Sequence, residues 1–130
     1  MTALALTTVD LGEYAASLNA RLQGRKAESI LEIAIRELFP GEIALVSSFG
    51  AEAAVLLHMV AQIDRATPVL FLDTGKLFDE TLRYRDEIAA RLKLADLRVL
   101  TPDPKALAIN DDGGTLWFRD AEACRRIRKV

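Results

Sequence analysis

Apolar residues recur at helical spacing at Leu11, Tyr14, Ala15, Leu18 and Leu22, and again at Ala27, Ile30, Leu31, Ala34 and Leu38. This predicts a pair of amphipathic helices within residues 1–40, the second stopped by Pro40 and Gly41. The period then changes. "EIALVS" (42–47) and "PVLFLD" (68–73) are short runs apolar on both faces, as is usual for parallel strands covered on both sides. Between them, residues 51–63 form an apolar helical stretch, and Phe78 to Lys93 places Phe78, Leu82, Ile88, Ala89 and Leu92 on one helical stripe. "LRVLT" (97–101) reads as a third strand. Strand, helix, strand, helix, strand over 42–101 is the pattern of an α/β fold with a doubly wound parallel sheet. Past Thr101 the periodicity is lost in "PDPKALAINDDGG", so 102–130 is predicted to be a loop and a basic segment.

The chain has 130 residues, a length typical of one domain, so 1–130 is read as a single domain with 51% apolar residues to build its core. A net charge of -2 gives no global attraction to nucleic acid or to an anionic membrane, and any anion site must be local. No apolar run is long enough to span a bilayer, and "MTALALTTVD" lacks the basic start of a secretory signal. One cysteine, Cys124, cannot form an intrachain disulfide, and the expected compartment is the cytoplasm.

Open α/β sheets bind ligands at the carboxyl ends of their strands, where helix N-termini direct free N–H groups into the crevice. Two stretches fall at that edge. In "SSFGAE", Ser47 and Ser48 offer hydroxyls, Gly50 is expected to take a positive φ in a tight turn, and Glu52 enters the next helix with its carboxylate turned aside. The same spelling also suits a plain helix cap and turn. In "LDTGKLFDET", Asp73 ends a strand where a carboxylate meets ribose hydroxyls or caps a turn, with Thr74 and Gly75 forming that turn. Lys76 meets an anion or water, and Glu80 and Arg83 suit a surface pair. The terminal "RRIRK" is equally consistent with a solvated helix end, and Cys124 with a small buried apolar residue. His58, the one histidine, is placed about two turns into the helix after "SSFG", too far from the loop to touch a phosphate there.

The order and spelling of "SSFGAEAAVLLHM", "PVLFLDTGKLFDETLRYRD" and "WFRDAEACRRIRKV" resemble the assimilatory sulfonucleotide reductases, which act on adenylyl sulfate or phosphoadenylyl sulfate and share the nucleotide-binding fold of the PP-loop pyrophosphatases. The resemblance runs from about Glu42 to Val130. It implies that Ser47, Ser48, Phe49, Gly50 and Glu52 line the phosphate side, that Leu72, Asp73, Thr74 and Gly75 face the adenosine, and that Arg128 and Lys129 face the sulfonate. It implies a two-stage reaction in which a cysteine near the far C-terminus takes the sulfonate and thioredoxin or glutaredoxin then frees sulfite. The thiolate is the attacking form. Adenylyl-sulfate members hold a 4Fe-4S cluster through an adjacent cysteine pair and a later CxxC. Here Cys124 keeps the first position and Arg125 replaces the second, so the chain resembles an adenylyl-sulfate enzyme that has lost a ligand, and no cluster is expected in it.

The family continues for roughly another hundred residues, so the chain is expected to be an N-terminal portion, catalytically incomplete, with the C-terminal part of the family domain absent. In the family's strand order 42–47 is central, with 68–73 on one side and 97–101 beyond. Its other edge would lie open, which predicts a self-associating homo-oligomer or a marginally stable chain. Two other functions suit the same fold: an ATP-dependent adenylyltransferase or pyrophosphatase, and a degenerate module that binds nucleotide without chemistry.

Overall fold

A computed structural model describes residues 10–130 of the chain. Within the predicted 1–40 helical segment, residues 1–9 lie outside the described residues. Helix α1 (Leu11–Leu22) starts at Asp10, whose carboxylate accepts from the Gly12 and Glu13 N–H groups, satisfying two donors that the first turn leaves unpaired. Helix α2 (Ala27–Ile33) runs on as a π-helical turn, Ala34–Leu38, and ends before Gly41, which takes a φ of 72°. The Arg36 guanidinium then crosses to the Ile63 carbonyl at 2.6 Å, occupying one of the acceptors exposed at the end of the next helix.

The sheet has three parallel strands in the order β1 (Leu45–Val46), β2 (Val69–Leu72), β3 (Leu97–Leu100). Leu45 pairs with Val69, and Val69 with Leu97. Strand β1 is shorter than the 42–47 expected, although the Ser47 N–H still donates to the Leu70 carbonyl and prolongs the ladder. Helices α3 (Ala53–Ile63) and α4 (Asp79–Leu92) make the crossovers. Right-handed connections between neighbouring parallel strands put both on one face of the sheet, and the two touch each other there. Under them lies the core, built on Phe49, Leu57, Val69 and Phe71 with Leu45, Leu82, Ile88, Leu92 and Leu97 around it. The opposite face is barer, with Val46 and Leu100 both exposed.

The chain after Thr101 is not the loop and basic segment that its sequence suggests. It forms three short helices, α5 (Pro104–Asn110), α6 (Leu116–Arg119) and α7 (Ala121–Lys129). Asp103 caps α5 through the Lys105 N–H with Pro at the first helical position, and Asp120 caps α7 through the Ala123 N–H. Elements of four to nine residues carry too few apolar repeats for a 3.6-residue period to show. None of the described helices is long and apolar enough to cross a membrane.

Candidate functional site

Each of the two loops at the carboxyl edge is shaped by its own side chains. Ser47 Oγ accepts from the Phe49 N–H at 3.2 Å and Ser48 Oγ from the Gly50 N–H at 3.3 Å, two successive serine turns that fold the chain back toward α3. Asp73 Oδ1 accepts from the Gly75 N–H at 2.9 Å and Thr74 Oγ1 from the Lys76 N–H at 3.2 Å, the same device in the second loop. Gly75 sits at φ 75°, as a turn there requires.

The positive φ expected at Gly50 falls instead on Phe49, at 55°. The reason is the core: the Phe49 ring is 1% exposed and meets Phe71 edge-to-face at 5.5 Å, and the backbone bends one residue early to drive it inward. A Cβ at Gly50 would meet only Ser48 Oγ, at 3.5 Å, an ordinary van der Waals contact, so neither backbone nor space requires glycine there. Phe49 therefore gives the loop its shape from beneath and offers a ligand no more than backbone. Gly50 and Glu52 are exposed just before α3, whose start has no side-chain cap, although the Ala53 N–H already donates to the Gly50 carbonyl at 3.0 Å.

The loops meet around a cavity of ≈ 200 Å³ lined by Val46, Ser47, Ser48, Phe71, Leu72, Thr74, Leu77 and Lys129. The structure thus brings Ser47, Ser48, Leu72, Thr74 and Lys129 to one place, with Asp73 half-buried alongside. Arg128 and Lys129 part company. The Arg128 side chain is 9% exposed, donates to the Thr74 carbonyl, and pairs at 2.6 Å with Asp111, whose own side chain is wholly buried. The other Asp111 oxygen accepts from the Leu116 N–H at 2.9 Å. The Arg128 hydrogen bond, helped by that N–H, holds the Asp111 carboxyl below its usual range. Arg128 is thus a brace between α7, the Thr74 turn and the approach to α6. Lys129 takes part in none of the ion pairs among the described residues and is the cation left for the cavity.

Asp111 was not singled out from the sequence; "NDDGG" signals a turn, and nothing local points to a partner 17 residues on. Lys76 is not merely solvated either, since its ammonium donates to the Gly114 carbonyl at 2.9 Å. His58 is exposed on α3 and lines a separate groove with Arg65 and Arg91, away from both loops. Cys124 is buried and lines, with Arg125, a larger cleft that shares Thr74 and Lys129 with the loop cavity. The 4Fe-4S cluster that the resemblance brings with it needs four thiolates. These 130 residues contain one cysteine, and no three His, Cys, Asp or Glu side chains cluster as metal ligands among the described residues, so on their own they do not fit the group.

The two loops thus bring three hydroxyls and, among the described residues, one lysine outside any ion pair to a single cavity beside the start of α3. Comparison with known proteins gives the same region a family. The chain is 52% identical to adenosine 5'-phosphosulfate reductase of Mesorhizobium japonicum, over 89% of this chain and 46% of that protein. It is 49% identical to the enzyme of the same name from a Chelativorans species, over 89% of this chain and 48% of the relative. It is 39% identical to phosphoadenosine 5'-phosphosulfate reductase of Klebsiella pneumoniae, over 88% and 46%. The chain therefore spans about half the length of the curated relatives it matches. With residues 42–130, which include both loops and α7, matching the phosphoadenosine phosphosulfate reductase domain, the chain belongs to that reductase family.

Proposed function

We propose that these residues form the sulfonucleotide-binding half of an assimilatory reductase that converts adenylyl sulfate to sulfite. The observation that carries this reading is the convergence of Ser47, Ser48, Thr74 and Lys129 on one cavity at the carboxyl ends of β1 and β2. In the proposed arrangement the α3 N-terminus with Ser47, Ser48, Gly50 and Glu52 frames the phosphate, and Leu72, Asp73, Thr74 and Gly75 frame the adenosine. Lys129 faces the sulfonate, and Arg128 acts behind it by fixing Thr74. Adenylyl sulfate is preferred over phosphoadenylyl sulfate as substrate because relatives named for the former are 49–52% identical and those named for the latter 37–44%.

The chemistry would need a nucleophilic cysteine from outside these 130 residues, and thioredoxin or glutaredoxin as reductant. Cys124 stands at the position of a first cluster ligand, beside Arg125 in place of the second. We further propose that residues 1–130 act as one nucleotide-binding domain, that the protein works in the cytoplasm, and that this chain self-associates through the open edge of β1. Calorimetric titration tests the core of the reading. Adenylyl sulfate is expected to bind at least about ten-fold tighter than ATP, and Lys129→Ala to remove most of that advantage. Tighter binding of ATP than of adenylyl sulfate would refute the assignment and favour a pyrophosphatase-like activity.

A further inference from the structure

At the end of the sheet opposite the two loops, where β2 and β3 begin, the last turns of α3 and α4 bound a groove of ≈ 660 Å³. Its lining carries three cations, Arg65, Arg91 and Lys93, against one carboxylate, Asp64, in a chain whose net charge is -2. Asp64 is turned to its own loop, with Oδ1 accepting from the Ala66 N–H at 2.9 Å. Arg65 and Lys93 take part in no ion pair among the described residues. Arg91 meets Glu87 at 3.5 Å, but both side chains are exposed, and a pair of that kind contributes little and is easily exchanged for another.

Basic residues at the end of a helix ordinarily serve the carbonyls left unpaired there. These do not. The Ile63 carbonyl at the end of α3 is taken by Arg36, from outside the groove, at 2.6 Å. At the end of α4 the Ala89 and Ala90 carbonyls accept from the backbone N–H groups of Leu94 and Lys93. Among the described residues, the side chains of Arg65, Arg91 and Lys93 bond no carbonyl. Lys93 moreover sits at φ 55°, a left-handed position that glycine fills at least cost, so its charge stands there against the backbone preference. Arg65 and Lys93 thus have neither a carboxylate nor a carbonyl as partner, and their charges are directed outside the chain.

The two helix ends select the kind of anion. The negative ends of the α3 and α4 dipoles meet at this groove and oppose a compact phosphate or sulfate that enters deeply. Arg65, Arg91 and Lys93 are exposed on long side chains, which suits carboxylates spaced along a passing chain. Ala61, Ile63 and Leu92, buried or half-buried, add apolar surface beneath such a chain. No aromatic side chain lines the groove, so it offers a nucleobase nothing to stack on. We propose that the groove between the C-terminal ends of α3 and α4 is a docking site for an acidic segment of a partner protein, whose carboxylates pair with Arg65, Arg91 and Lys93. The groove and the loop cavity share no lining residue, and the four residues of β2, about 13 Å of strand, separate them. Docking is therefore independent of what the loops bind.

Fluorescein-labelled decaglutamate, followed by fluorescence anisotropy at about 20 mM salt so that exposed charges are little screened, tests the site. The 130-residue chain is expected to bind it saturably, with a ten-residue uridine oligonucleotide carrying the same dye at least about five-fold weaker. Inorganic tripolyphosphate should displace the peptide only at about ten-fold the concentration of unlabelled decaglutamate. Arg65→Glu should raise the half-saturating concentration roughly five-fold or more and Lys93→Gly roughly two-fold or more. Glycine suits the left-handed backbone, so Lys93→Gly should melt no lower than the parent, and its weaker binding is then not a loss of fold. Lys105→Glu, the same charge reversal at an exposed position of α5 outside the groove, should stay within about two-fold of the parent. Absence of binding, indifference to both Arg65→Glu and Lys93→Gly, an equal loss in Lys105→Glu, or an oligonucleotide or tripolyphosphate that matches the peptide overturns the site. None of these results bears on the loop cavity, which adenylyl sulfate reads in calorimetry.

Discussion

Replacing Phe49 separates two effects that the structure superimposes at one residue. Its ring is 1% exposed and packs edge-to-face on Phe71 at 5.5 Å, so Phe49→Ala should cost about 3–5 kcal/mol, of which the ring pair accounts for about 0.5–1.5. Its backbone sits at φ 55°, where any residue with a Cβ bears a strain of about 1–2 kcal/mol. Alanine keeps that strain. Glycine releases it, at the cost of about 0.5–1 kcal/mol of extra chain entropy in the unfolded state. Phe49→Gly should therefore be equal to Phe49→Ala in stability or better by up to about 1.5 kcal/mol, the reverse of the usual order. Leu57, equally buried but in the middle of α3, is the control: there glycine should be worse than alanine by about 1 kcal/mol. Urea unfolding of the four variants reads these differences as shifts in midpoint at constant slope. If Phe49→Gly falls below Phe49→Ala by the margin seen at Leu57, the left-handed turn is not what shapes this loop.

Acid should loosen the brace on Thr74. The Asp111 carboxyl is held below its usual range by Arg128, so its contribution is fully present above the unfolded-state value near 3.9 and fades only as pH falls through the lower folded value. Asp111→Asn should thus destabilise the chain at pH 7 and flatten the acid side of its stability profile below about pH 4, in urea midpoints taken across pH. An unchanged acid limb would mean that the pair forms no part of the folded state in solution. At the open edge of the sheet, the Leu45 and Ser47 N–H groups point to β2, so those of Val46 point outward from a side chain 64% exposed. Val46→Lys should shift the chain toward monomer in sedimentation velocity, and a wild-type chain already monomeric at about 100 μM would refute pairing through this edge.

The sheet was legible because its strands are short apolar runs separated by helical stripes, a pattern set by burial alone. The two loops were legible for a different reason. Serine, threonine and aspartate bond their own backbone two residues on, so "SS" and "DT" announce their turns without help from the rest of the chain. Where tertiary packing competes with such local chemistry the reading fails. Glycine is the better left-handed residue, yet the fold places Phe49 there because a buried ring is worth more than the strain it incurs. The last 29 residues had caps in plain view at Asp103 and Asp120, but helices this short show no period by which to confirm them.

The division of labour in "RRIRK" was beyond the sequence for a geometric reason. Successive helical residues are turned by about 100°, so the neighbours Arg128 and Lys129 cannot face the same way. Cys124 and Arg128, four apart, share the less exposed side of α7, while Arg125 and Lys129 follow on its exposed side. Which of two adjacent cations goes inward is decided by what waits there. Asp111, brought from 17 residues away, and the Thr74 carbonyl, from 54 away, fit a forked, planar guanidinium better than a point-like ammonium. With the Arg128 charge matched by Asp111, Lys129 is the cation of the loop cavity that takes part in no ion pair among the described residues. The adjacent pair thus works as one buried fastening and one free charge.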